Sequence, residues 1–383
     1  MGKKAIILCG GGFLGAAYEI GTLKALNQQM QNFSINKFDI YQGLSAGAFV
    51  ASLLANQLPI DEIYASLFND TKNVKMFNGM KLQKFNLDLL LKLAKISLFP
   101  AKKFIDWTLD MKNPISFEFA YNLIFDMGEK ILSEGIHSGR GLELYLKDLF
   151  SKDSRTDDFS KLEKELYICA TDTDNGELTE PIVFGNKNYN NVPISLAVKA
   201  SCSLPGYFEP TIIPGKYFSD NCLKCFTDGA LNNTTYIQNV INNGAEFIIC
   251  INPLRPIKTS PGKILSEGKI LQQSLRAANH SRLHHSLINY KIKYPHIDIL
   301  LFEPSKNDWG LFENPQKSEK MGEIAERSYK FTLKQIFLNH TEMKESYIKH
   351  YGHNSLEELF KKHGIQLMRP SHEEILSKNY NNI

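Results

Sequence analysis

Three short segments carry residues whose types and spacing could do chemistry together. Gly43-Leu44-Ser45-Ala46-Gly47 sets a serine between two glycines. Where a strand precedes and a helix follows, G-x-S-x-G allows a strained turn that pushes the hydroxyl clear of the backbone to attack a carbonyl. Gly10-Gly11-Gly12-Phe13-Leu14-Gly15 lies between an apolar run and a helical pattern. Three adjacent glycines let backbone N–H groups converge, and donors at a helix N-terminus suit a developing oxyanion. The same stretch fits G-x-G-x-x-G, but a dinucleotide site wants an acid at the end of the second strand. Here that strand ends in the serine turn, and Asp39 lies near its start.

A nucleophilic serine needs a base. Asp228-Gly229-Ala230 follows a polar, cysteine-containing stretch and precedes a helical pattern from Thr234. A carboxylate there could take the Ser45 proton if partial desolvation raised its pKa from about 4. An Asp-Gly pair is also an ordinary turn, and chemistry alone does not choose between the two. The histidines from His280 onward do not sit in short, glycine-flanked turns after buried strands, as a Ser–His–Asp esterase would require. His280 and His284 share a helical face, as metal ligands can, but no third ligand is evident in the sequence, so solvated histidines and no metal are expected. Cys222 and Cys225 form a C-x-x-C pair with no second pair to complete a zinc site. The other cysteines read as reduced, buried thiols.

These residues need a scaffold. Ala5–Cys9, Phe38–Tyr41, 166–171, 247–251 and 297–302 read as short buried strands. Gly15 to about Met30, Ala46–Ala55, 193–203, 234–243, 263–288 and 317–337 read as helices. The alternation predicts an α/β protein with a mostly parallel sheet covered by helices. Residues 71–139 break the alternation. Their first part mixes lysines with leucines and phenylalanines, and predicts a helical cap with Leu89, Leu93 and Phe99 among its apolar contacts. A basic, apolar helix of this kind can lie on an anionic membrane. After about 340 the chain turns polar, and a peripheral helical extension over 341–383 is expected.

Composition bounds the rest. With 383 residues, 43% apolar and 22% charged, the chain can bury a large core, and a net charge of +3 implies no polyanion-binding field and no nucleic-acid partner. The first apolar run is too short for a signal-peptide core, and no run approaches a membrane span. A cytoplasmic chain with peripheral membrane contact is expected, while export without an N-terminal signal stays open.

Together the motifs resemble the patatin-like phospholipase family. Gly10–Gly12 resembles its oxyanion loop, Gly43–Ala48 its nucleophile elbow and Asp228-Gly229-Ala230 its D-G-A/G motif. Ala200–Pro210 resembles its proline-containing block ahead of the aspartate. The resemblance implies a three-layer α/β/α fold over residues 1–340, with a helical cap inserted at 71–139. It implies a Ser45–Asp228 dyad, an oxyanion hole from Gly10, Gly11 and Gly12, and no cofactor. The activity implied is hydrolysis of fatty acyl esters in phospholipids or other lipids, as a phospholipase A or lysophospholipase; the alternatives are a lipid acyltransferase and a conventional Ser–His–Asp esterase. One position departs from the family: Arg or Lys usually precedes the last glycine of the first block, and Leu14 stands here. The expected result is a weaker preference for anionic substrates, with the backbone donors retained.

Overall fold

A computed structural model describes residues 2–76, 137–174, 182–260, 270–308, 311, 320–338 and 356–368. Most of the expected helical cap, with Leu89, Leu93 and Phe99, lies outside the described residues.

An eight-stranded mixed sheet forms the middle layer. Its strands are β1 (Lys3–Leu8), β2 (Ile40–Leu44), β3 (Glu165–Asp172), β4 (Ile182–Phe184), β5 (Thr211–Ile213), β6 (Lys224–Asp228), β7 (Ala245–Ile251) and β8 (Asp298–Phe302). They lie in the order β5-β6-β3-β2-β1-β7-β8, with β4 paired to β3. From β3 to β8 the pairings along this order are parallel. β6 and β4 join β3 antiparallel, and β5 joins β6 antiparallel.

The central strands are apolar on both faces because helices cover both. Along β1, Ile6 and Leu8 enter one core cluster while Ala5 and Ile7 enter the other. The first cluster gathers α1 (Gly12–Gln29), α2 (Ala46–Ala55), α3 (Ile60–Ala65), α4 (Arg140–Phe150), α5 (Ile194–Ser201) and α8 (Met321–Leu338). The second lies under α6 (Ile237–Asn242) and α7 (Ile270–Lys293). The two clusters are the two interfaces of an α/β/α sandwich. α1 is buried nearly all round, because α2, α3 and α8 enclose it against the sheet.

Two stretches differ from their sequence-based reading. The polar run before Asp228 is strand β6, whose outer half is only partly buried, so it lacks the continuous apolar signature of the central strands. Residues 356–368, expected in a peripheral extension, contribute Leu356, Leu359, Phe360, Ile365 and Leu367 to the main core. Within them, α9 (Leu356–Lys362) sets Phe360 edge-on to Phe247 of β7, with ring centroids 5.4 Å apart. Among the described residues, no helix is long and apolar enough to cross a membrane.

Candidate active site

Ser45 occupies the turn between β2 and α2 with φ 53° and ψ −133°, a conformation that costs a non-glycine residue strain. The flanking glycines are required by close backbone approach. A Cβ on Gly43 would lie 2.3 Å from the Gly47 carbonyl oxygen, and one on Gly47 2.3 Å from that of Leu8. The C-terminus of α5 pins the turn. The Ser45 amide donates to Ser201 Oγ (2.8 Å), which in turn donates to the Cys169 carbonyl on β3 (2.6 Å). The Cys202 thiol donates to the Ser45 carbonyl at 3.0 Å. Ser201 and Cys202 belong to the block 200–210, so that block has a physical task here: it holds the serine turn in its strained shape.

Asp228 ends β6, directly across from Ala170 of β3. Its amide donates to the Ser203 carbonyl (3.0 Å), and its carbonyl accepts from Thr171 Oγ1 (2.9 Å). With the backbone fixed on both sides, the carboxylate has one place to go. Oδ1 accepts the Ala230 amide at 2.9 Å, and the Ser45 side chain lies near enough to the carboxyl to favour its ionised form. The residue is 1% exposed. Burial raises its pKa from 3.8 to about 6, against the opposing pull of Ser45 and of the Ala230 hydrogen bond.

The glycine loop lies against the serine turn. Gly10, Gly11 and Gly12 have φ of 74°, 126° and 68°, and a Cβ on Gly10 would sit 2.8 Å from that of Ser45. The loop does not present three equivalent donors. The Gly10 amide donates to Glu19 Oε1 at 2.8 Å, directed into the protein. Of the three amides expected as oxyanion donors, that of Gly10 is thus engaged within the protein, while Gly12 opens α1, where first-turn amides have no partner within the helix. Glu19 is fully buried on α1, and burial pushes its carboxyl well above the usual range, opposed by its backbone hydrogen bonds. Sequence reading passed over it, although a lone acid inside an apolar helix was the available signal.

A mostly apolar pocket opens on Ser45 between Phe13, Ala16, Phe49, Leu142, Leu204 and Phe208. A larger cleft of about 640 Å³ lies past the far end of α1, where Gln31, Asn32, Glu357 and Lys361 line it; it contains no nucleophile.

The histidines are engaged elsewhere. His280 and His284 meet Glu303, His285 bonds Ser281, His363 bonds Asp298 and His137 packs on Phe208. His340, His350, His353 and His372 lie outside the described residues. Cys222 and Cys225 are free, Cys222 being exposed.

Residues 6–241, more than half of the chain, match the family model described as patatin-like phospholipase. The chain belongs to the patatin-like phospholipase family. The three-layer fold agrees with that membership, which supports a lipid hydrolase activity. No curated protein matches the sequence. Similar solved structures include VipD from Legionella pneumophila, with 14% identity over 87% of this chain and 67% of that one, at a TM-score of 0.36. The type III effector protein ExoU is 15% identical over 87% of this chain and 53% of that one, at a TM-score of 0.33. A complex of full-length SpcU with full-length ExoU, from the type III secretion system of Pseudomonas aeruginosa, gives 13% identity, 86% and 53% coverage and a TM-score of 0.30. The chain thus spans about two thirds of VipD and about half of the other two.

Proposed function

We propose that this patatin-like chain hydrolyses fatty acyl esters of membrane lipids through a Ser45–Asp228 dyad and an acyl-enzyme. One observation carries the reading: Ser45, held in a strained turn at an apolar pocket, stands beside the buried Asp228 carboxyl, close enough to bear on its ionisation. Ionised Asp228 takes the Ser45 proton as Oγ attacks the ester carbonyl. The carbonyl oxygen, now negative, points at the Gly11 and Gly12 amides. Asp228 then passes the proton to the departing alcohol, leaving the acyl group on Ser45. Water enters, gives its proton to Asp228 and attacks the acyl carbonyl; the tetrahedral intermediate collapses, Ser45 recovers the proton and the fatty acid leaves. The phenylalanine- and leucine-lined pocket suits the hydrocarbon chain. Peripheral contact with the bilayer brings the ester to the site, and the basic, apolar segment within 71–139 supplies it.

The test is free fatty acid release from mixed phospholipid vesicles by wild type, Ser45→Ala and Asp228→Asn. Release is expected from wild type, with both variants down by about 10³-fold or more. Release that persists in Ser45→Ala would remove Ser45 as the nucleophile. A product that appears as a new ester when an acceptor alcohol is added would replace hydrolysis with transfer.

A further inference from the structure

His280 and His284 stand one turn apart on α7, with ring centroids 4.1 Å apart. The sequence offered no third partner for them, but the sheet does. Glu303 follows β8 directly and turns Oε2 toward both rings, 3.2 Å from His284 Nε2 and 3.5 Å from His280 Nε2. The three potential donor atoms all lie within 4.8 Å of one another. We propose that His280, His284 and Glu303 form a binding site for a divalent transition metal of the zinc type, separate from the Ser45–Asp228 centre.

The donor set and its spacing point the same way. A tetrahedral ion bound at about 2.0–2.2 Å holds neighbouring ligand atoms about 3.3–3.6 Å apart. The two nitrogen-to-oxygen distances fall at that edge length, so an ion needs little rearrangement. Two nitrogens and one carboxylate oxygen select borderline ions such as Zn²⁺ or Co²⁺ over Ca²⁺ or Mg²⁺, which take oxygen ligands. The two imidazole rings also crowd each other on one carboxylate oxygen, with centroids 4.1 Å apart. A metal ion turns that crowding into coordination. The His280 and His284 side chains are 28% and 26% exposed, which leaves a path for the ion and a position for water.

The carboxylate is also supported from behind. Fully buried Asn252, just after β7, donates from Nδ2 to Glu303 Oε1 at 2.7 Å, so Oε2 is the oxygen left facing the rings. Asn252 Oδ1 accepts the Leu254 amide, and Pro253 and Leu254 back onto Gly11. A metal here would join α7 to β8 and, through Asn252, to the turn behind the glycine loop.

The experiment strips the full chain with a chelator and titrates it with Co²⁺, reading visible d–d absorption, and then with Zn²⁺ by calorimetry. A Cys222→Ser/Cys225→Ser background removes the exposed thiols as competing ligands. One equivalent is expected to bind, with tetrahedral Co²⁺ absorption that Zn²⁺ displaces. His280→Ala and His284→Ala should each abolish saturable binding, His285→Ala should leave it unchanged, and Asn252→Ala should weaken it about 10–100-fold. No saturable binding by wild type, or binding that His280→Ala and His284→Ala leave intact, would overturn the site. If Asn252→Ala fails to fold, the two partly exposed histidines still decide the outcome. The readout is metal binding, so neither result depends on lipid turnover.

Discussion

A carboxylate that is to take a proton from serine must be charged, and burial works against charge. Asp228 therefore sets opposite pH trends in stability and turnover. Its folded-state pKa, about 6, lies above the unfolded value near 4. Between those values the folded protein holds the proton more tightly, so stability falls as pH rises from about 4 to about 6 and stays lower above that, a difference on the order of 3 kcal/mol. Turnover rises through the same window, because only the ionised form is a base, and should show an acid limb near pH 6. Asp228→Asn removes the buried charge. It should lose turnover while melting at or above the wild-type temperature at pH 8, and its melting temperature should change less between pH 4 and 6. Thermal melts and initial rates over one pH series check both; a variant that melts well below wild type at pH 8 would mean the carboxylate stabilises the fold. Ser45 was legible in sequence because a strand, a glycine-flanked serine and a helix are local features. Asp228 was ambiguous for the opposite reason: whether an Asp-Gly pair is a turn or a base depends on what lies across β3, and chain order does not contain that.

Between elements, α1 does more than present its N-terminus. It reaches back through Glu19 to hold the amide of Gly10, and this explains why the three glycines are not alike. Glu19 is a positioning residue: it would touch no substrate, and it orients the loop that carries Gly11 and Gly12. Glu19→Gln keeps an oxygen acceptor and is expected to stay within about threefold of wild-type kcat. Glu19→Ala leaves the Gly10 amide without its buried acceptor, which costs about 1–3 kcal/mol, and should lower kcat about 10–100-fold with KM little changed. A matching fall in both variants, or a change confined to KM, would argue for a packing role. The sequence stated the elements well where they are buried on both faces, as at β1, β7 and α2. It missed β6 because an antiparallel strand near the sheet edge, half in solvent, carries no continuous apolar run. It left His280 and His284 without a purpose because Glu303 reaches them only once β8 is laid beside β7.

At the scale of the whole molecule, the catalytic layer is closed from far along the chain. Met368 donates its amide to the Gln29 carbonyl, the Gln31 amide donates to the Gln366 carbonyl, and His363 stacks on Phe247 with ring centroids 4.5 Å apart. Phe360, 1% exposed, packs edge-on to the same Phe247 ring within the main core. Phe360→Ala should cost about 3–5 kcal/mol of stability in urea unfolding. Initial rates of lipid hydrolysis under strongly native conditions should stay near wild type, since the pocket at Ser45 is lined from other elements. A loss below about 1 kcal/mol would show that 356–368 is peripheral after all. The tidy alternation that announced an α/β fold gave no hint of this closure, because the segment lies within a polar stretch of sequence that hides its own apolar pattern.

The strand order also has a meaning in time. β1 precedes the other strands of the sheet in chain order, yet its neighbours are β2 on one side and β7 on the other, and the serine turn leans on α5 and lies beside Asp228 at the end of β6. A ribosome delivers Ser45 well before Asp228. Until β6 emerges, the nascent chain holds Ser45 without the base proposed for it, and until β7 emerges, β1 has an unpaired edge. Parallel pairings between distant segments form slowly. On the proposed mechanism a growing chain cannot attack lipid until β6 has been made, and until β7 follows it depends on whatever shields a bare apolar strand.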